Sequence, residues 1–145
     1  MNWREFVESG SKTGKLATVR KSGRPHVAPV AIAFDGDDII FITAKTSVKG
    51  MALMRGGVAC MAFDEEHLPF PFVIVEGRIS TSEDLEELRR VAPAIPLRYG
   101  GPDAVDAFVE RNVVPGQLLV RITPERVIQR LDGNPRETIV LDGSS

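Results

Sequence analysis

Short runs of apolar and β-branched residues, separated by tight turn signals, make up most of this chain. That spacing favours antiparallel strands over long helices. Six runs qualify: Leu16–Arg20, His26–Phe34, Ile39–Thr43, Val58–Phe63, Phe72–Ile79 and Gln117–Ile122. Val127–Leu131 either extends the last run or follows it. Lys21-Ser22-Gly23-Arg24-Pro25 is a polar turn, and Asp35-Gly36 carries a hairpin signal. Pro29 lies inside the second run, where proline implies an edge, a bulge, or backbone covered by something other than a strand. Helices are expected at Asn2–Ser9, at Val48–Arg55 with Gly56-Gly57 as C-cap, and at Asp103–Asn112. A further helix should begin with Ser82 as N-cap and break at Pro93 and Pro96. Mainly β structure with short helices packs naturally as a small antiparallel barrel.

The chain has 145 residues, enough for one domain with a real core. Residues 1–131 read as that domain and 132–145 as a C-terminal tail. The tail has one apolar patch, Thr138-Ile139-Val140-Leu141, that would cap a barrel end, reach a partner chain or stay disordered. With 18 basic and 20 acidic residues the formal charge is −2, which gives no footprint for nucleic acid. No secretory signal or membrane-spanning run is visible, so the reading is a cytoplasmic protein. Cys60 is the only cysteine and reads as a small buried core residue.

One turn has chemistry in it. Thr43-Ala44-Lys45-Thr46-Ser47-Val48-Lys49-Gly50 joins a strand to a helix and sets two lysines at the positive end of the helix dipole. Ser47 suits the N-cap, leaving backbone N–H groups of the first turn unpaired. Those groups and a lysine can hold a phosphate; a solvated turn with its lysines in water is the alternative. Gly50 inside the first turn costs about 1 kcal/mol against alanine, which close approach of another group would justify.

Five stretches occur in order: Leu16–Val30 (LATVRKSGRPHVAPV), Ile42–Gly50 (ITAKTSVKG), Pro71–Gly77 (PFVIVEG), Arg98–Gly101 (RYGG) and Arg111–Val127 (RNVVPGQLLVRITPERV). Together they resemble the split-barrel flavin and deazaflavin oxidoreductases, the pyridoxamine-phosphate-oxidase-like superfamily. Within it they are most similar to the actinobacterial branch that uses coenzyme F420. The resemblance implies a six-stranded split β-barrel and a homodimer with two cofactor clefts at its interface. It carries the phosphate grip to Ser47 and Lys49, assisted by Thr46. Val48 stands where flavin-binding relatives often have arginine, which argues against an FMN oxidase. By the same resemblance Thr18 and Thr43 touch the ribityl side, and backbone near Pro29, Val30 and Ala31 faces the ring. Arg20, with Lys21 and Arg24, meets the anionic tail of F420. Ala31-Ile32-Ala33 departs from relatives that carry an aromatic there. So do Ala52, Gly56 and Gly57, where relatives have Asn and a closing Asp-Pro.

The implied reaction is hydride transfer between F420 and a small electron-poor organic substrate. The cofactor supplies the chemistry and the protein supplies position. No catalytic residue and no metal ligand set is assigned. His26 reads as facing outward and His67 as part of an acidic loop, Asp64-Glu65-Glu66-His67, of solvated charge. The alternatives are an FMN-dependent oxidoreductase on the same fold and a non-enzymatic protein that holds a deazaflavin or haem.

Overall fold

The computed structural model describes residues 1–141. Eight strands form one antiparallel sheet: β1 (Gly14–Val19), β2 (Pro25–Val30), β3 (Ala33–Asp35), β4 (Asp38–Ala44), β5 (Val58–Asp64), β6 (Phe72–Ser82), β7 (Gln117–Arg130) and β8 (Glu137–Val140). Their order is β2-β1-β5-β6-β7-β4-β3, with β8 also paired to β7. The helices are α1 (Trp3–Glu8), α2 (Val48–Met54), α3 (Leu85–Val91), α4 (Ala94–Tyr99) and α5 (Val105–Asn112). A 3-10 turn, Pro102–Ala104, leads into α5.

The sheet is a split barrel, but the six-strand expectation is corrected to eight. The run 26–34 divides at Ala31-Ile32 into β2 and β3, which lie at opposite ends of the strand order. Two residues can bridge those edges only if the sheet curls round to bring them together. No ladder crosses the join. The amide of Ile32 instead donates to the Tyr99 hydroxyl at 3.1 Å, and that hydroxyl donates to the Lys12 carbonyl at 2.8 Å. Arg98 reaches the carbonyls of Val7 and Lys12 at 2.7 and 2.9 Å. Arg98 and Tyr99 thus tie α1 and the following loop to the split. The second added strand is β8, formed by the apolar patch after Asp132 and paired in register Val127↔Ile139.

Pro29 sits on β2, an edge strand, where its missing N–H is tolerated. β7 runs unbroken through Pro124. Opposite it Gly77 pairs with Pro124 while Glu76 pairs with Arg126, so Glu125 is a bulge residue. A Cβ on Gly77 would collide with the Thr123 carbonyl, which explains the glycine. Ser82 does not cap α3. It ends β6, and Asp84 is the N-cap, accepting from Glu86 N at 3.0 Å. The helix stops before Pro93 as expected, but Pro96 falls in the first turn of α4, where no intrahelical donor is needed.

Two apolar cores lie on the two faces of the sheet. Inside the barrel pack Leu16, Ile39, Phe41, Met61, Phe63, Val75 and Val120. Outside, Ile40 and Leu119 meet Leu88, Val91 and Ile95 of α3 and α4. This explains the unbroken Ile39-Ile40-Phe41-Ile42: β4 is covered on both faces. The outward face of β1 and β5 has no such helix, and its positions are half-buried or exposed while the inward ones are buried.

Arg121 of β7 binds three elements at once. Its guanidinium lies 2.8 Å from Asp35, 3.5 Å from Asp38 and 3.1 Å from Glu87, and it is only 17% exposed. The Arg121 hydrogen bond holds the Asp35 carboxyl below its ordinary pKa, against a smaller opposing effect of burial. A lowered folded pKa stabilises the fold above the ordinary carboxylate range, and this stabilisation is lost as pH falls through the folded pKa. Replacing Arg121 with Met leaves three carboxylates close together, at an expected cost of about 1–3 kcal/mol near neutral pH. Denaturant melts of both proteins should show this gap narrowing below about pH 4, as the acids protonate. A gap independent of pH would contradict the assignment.

Candidate functional site

The turn between β4 and α2 is built by its own hydrogen bonds. The Ser47 hydroxyl accepts from Gly50 N at 3.0 Å and donates to the Ala44 carbonyl at 2.7 Å. Thr43 Oγ1 lies 3.3 Å from it, and with the Ser47 proton on Ala44 the Thr43 hydroxyl is the donor. Ser47 is thus the N-cap that the sequence suggests, and its hydroxyl is occupied within the chain. The same contacts explain Gly50. A Cβ there would collide with the Ala44 carbonyl and lie 3.0 Å from that of Lys45. The group that approaches Gly50 is therefore the preceding strand end.

The two lysines part company. Lys45 pairs with Glu83 at 3.2 Å. Lys49 is half-buried and has no ion-pair partner among the described residues. Thr46 is exposed, and Val48 is 39% exposed.

At the opposite end of α2 opens a cavity of about 760 Å³. Its walls include Ala17 and Thr18 of β1, Cys60 of β5, Glu76 of β6, Arg126 of β7, and Arg55 after α2. The register explains the floor. Ala17 pairs with Cys60, Cys60 with Glu76, and Glu76 with Arg126, so one row crosses four strands. Alternation turns this row outward, where no helix covers it. Small residues at Ala17 and Cys60 make it concave.

Cys60 is thus not a core residue. It is half-buried in the cavity wall, because its neighbours Ala59 and Met61 take the inward positions. Burial first, and then the Glu76 charge, push its thiol above the ordinary pKa, so it stays protonated and unreactive near neutral pH. His26 also differs from expectation. It shares the more buried face of β2 with Ala28 and Val30, opposite Val27 and Pro29. The Thr18 hydroxyl and His26 Nδ1, on residues paired across β1 and β2, are buried without hydrogen-bond partners among the described residues. Such orphaned groups are costly unless a water or ligand satisfies them.

The rim combines apolar and cationic groups. Val19 and Val58 in the cavity lining are each more than half exposed. Arg55 donates to the Val19 carbonyl at 2.6 Å. It has no carboxylate partner among the described residues, and neither do Arg20, Lys21 and Arg24 of the adjoining hairpin.

The expected site residues therefore fall into three groups. Thr43, Thr46, Ser47, Val48 and Lys49 gather at the α2 turn, and Pro29, Val30 and Ala31 at the β2–β3 split. Thr18 and Arg20 stand on and just beyond β1, with only Thr18 in the cavity wall. α2 links the groups, since it packs against β1, β2, β4 and β6. Arg55, Cys60 and Glu76 were not anticipated as wall residues. For Cys60 and Glu76 the signal was the outward alternation of β5 and β6, which has meaning only once the register is known. The loop 64–67 is more than solvated charge: Glu65 pairs with the largely buried Lys12 at 3.2 Å and with His67 at 2.8 Å. Among the described residues no cluster of three metal-ligating side chains occurs, and no helix is long and apolar enough to cross a membrane.

The architecture is an open antiparallel split barrel with a cavity of about 760 Å³ beside a short capped helix. The chain belongs to the pyridoxamine 5'-phosphate oxidase family, whose pattern matches residues 2–131. No curated protein matches it. Among solved structures it is similar to a conserved hypothetical protein, Rv2991, from Mycobacterium tuberculosis. The two are 28% identical over 99% of this chain and 94% of that one, with a TM-score of 0.77. An F420 reductase is 20% identical over 88% of this chain and 96% of that one, with a TM-score of 0.67. A haem-binding protein from Mycobacterium smegmatis is 18% identical over 93% of this chain and 55% of that one, at 0.74. These last two share the fold alone.

The contact at Gly50 is directly testable. Gly50→Ala should lower stability by about 1–3 kcal/mol, because overpacking against a carbonyl outweighs the propensity gain. Urea melts will measure it, and a neutral or stabilising result would contradict the packing described.

Proposed function

We propose that this chain is an F420-dependent oxidoreductase, transferring a hydride between the deazaflavin and a small electron-poor organic substrate. The observation that carries the reading is the pair of features at the two ends of α2. One end has Lys49, without a counter-charge among the described residues; the other has a largely apolar cavity with Arg55 and a Thr18 hydroxyl that has no partner among those residues. Seven residues separate those ends by about 10 Å. A ligand with a flat apolar body and anionic arms suits such a surface, and family membership supports a flavin-type cofactor.

In this reading Lys49 carries the phosphate as a point charge, with Thr46 and the free amides at Val48. Ser47 shapes the turn through its cap. Thr18 and Thr43 lie on the ribityl side, and the unpaired edge backbone near Pro29, Val30 and Ala31 faces the ring. Arg20, with Lys21 and Arg24, takes the anionic tail. Valine at 48, where an arginine would add a second phosphate ligand, favours F420 over FMN. When bound, the deazaflavin supplies a carbon centre that donates or accepts hydride. The chain's own work is binding, orientation and exclusion of water. His67 is engaged with Glu65 and the His26 ring nitrogen is closed off, so neither is assigned a proton-transfer role.

The exposed apolar rim also suits a second copy of the chain, giving a cytoplasmic homodimer with cofactor clefts between subunits. No metal, membrane or nucleic-acid partner forms part of this reading.

Parallel titrations of the purified protein with F420 and with FMN test it. F420 should bind at least about tenfold more tightly, and Lys49→Ala should weaken it by about tenfold or more while leaving the melting temperature unchanged. Tighter binding of FMN or haem, or an unaffected variant, would overturn the assignment.

A further inference from the structure

The loop that joins β5 to β6 is held by charge as well as by its backbone. Glu65 N donates to the Pro71 carbonyl at 3.2 Å, and Phe70 N to the His67 carbonyl at 2.6 Å. The Glu65 carboxylate lies between two basic groups. One oxygen is 3.2 Å from the Lys12 Nζ and the other 2.8 Å from the His67 Nε2. Lys12 is fixed in its turn, with a side chain only 10% exposed. Its ammonium donates to the Ser9 carbonyl and hydroxyl at 2.8 and 2.9 Å and lies 4.4 Å from the centre of the Phe6 ring. The Lys12 carbonyl is the one that Arg98 and Tyr99 hold. Glu65 therefore ties the loop to the segment after α1.

A second contact fixes the charge of His67. Its Nδ1 lies 3.1 Å from the Leu68 carbonyl. A carbonyl oxygen only accepts, so Nδ1 carries a proton. The Glu65 carboxylate accepts as well, so Nε2 carries one too. Neutral imidazole has a single N–H, and only imidazolium donates from both nitrogens. The two contacts together specify a charged histidine.

The other charged groups come from the loop and from the strands beside it. Asp64 pairs with Lys15 of β1 at 3.2 Å, Glu66 is exposed, and Arg130 of β7 donates to the Pro69 carbonyl at 3.4 Å. Carboxylates, lysine and arginine ordinarily keep their charge between about pH 5 and 8, and histidine does not. The chain's other histidine, His26, lies on β2.

We propose that His67 is a pH-sensitive clamp on the β5–β6 loop, closed when the ring is an imidazolium and loosened when it loses a proton. The part released is the apolar tip, where Leu68 is 79% and Phe70 51% exposed. The closed clamp holds a proton, so it is complete below the histidine range and loses one of its two bonds as pH rises through it. It also needs an ionised Glu65, so it fails again below about pH 4. The clamp does not depend on the F420 assignment and can be tested without any cofactor.

NMR of the isotopically labelled full chain is the test. At about pH 5.5 both ring nitrogens of His67 should show imidazolium shifts. Corrected for intrinsic rates, the Phe70 amide should exchange at least about tenfold more slowly there than at about pH 8. His67→Ala and Glu65→Gln should each remove that pH dependence, while Glu66→Gln, at an exposed neighbour, should keep it. His67 is 69% exposed, and an unchanged amide spectrum along β7 will show that its variant is folded. A His67 ring with one protonated nitrogen at the lower pH, Phe70 protection that does not change with pH, or the same change in His67→Ala would each overturn the proposal.

Discussion

The two-residue join Ala31-Ile32 governs this structure. It connects strands that lie at opposite edges of the sheet, so the sheet has to curl until those edges meet. The edges do not pair. A buried amide at Ile32 would be left unsatisfied, and Tyr99 supplies its partner from 67 residues away. The same hydroxyl and the neighbouring Arg98 hold the segment after α1 in place. Curling then determines what is inside and what is out. One face becomes the barrel core, and the helices after β6 cover only part of the other face. The uncovered part, over β1 and β5, is where the cavity opens.

Charge follows the same division. Under the helices, acids and bases neutralise each other, as at Arg121 with Asp35, Asp38 and Glu87. Around the cavity and the α2 turn, the cations Arg20, Arg24, Lys49 and Arg55 have no carboxylate partners among the described residues. A chain of net charge −2 thus leaves these four cations without direct carboxylate partners among those residues, beside Glu76 and Glu125 in the cavity wall. Unpaired surface cations attract anionic ligands, and salt weakens that attraction.

Much of this was legible in the sequence, for identifiable reasons. Alternation and the Asp35-Gly36 signal fixed the hairpin of β3 and β4, and Gly36 adopts the positive φ that its turn needs. Ser47 announced the start of α2, and Gly56 with Gly57, both at positive φ, its end. The division of β2 from β3 was not legible. Ala31-Ile32 holds no turn residue, and the break is stabilised by a tyrosine distant in the chain. Ser82 and Asp84 both satisfy the rule for an N-cap, and only the length of β6 decides between them. The reason for Gly50 was equally hidden, since it depends on the path of the preceding carbonyls. Cys60 looked like core because its run is uniformly apolar. Its true position depends on the strand register, which needs partners that a single run does not name.

A crystal structure of the protein grown with F420 tests the central claim most directly. The account predicts the cofactor lying along α2, with its phosphate within about 3 Å of the Lys49 Nζ and its polar chain reaching the side of Thr18. A cofactor bound away from α2, or one that leaves Lys49 free in solvent, would contradict it.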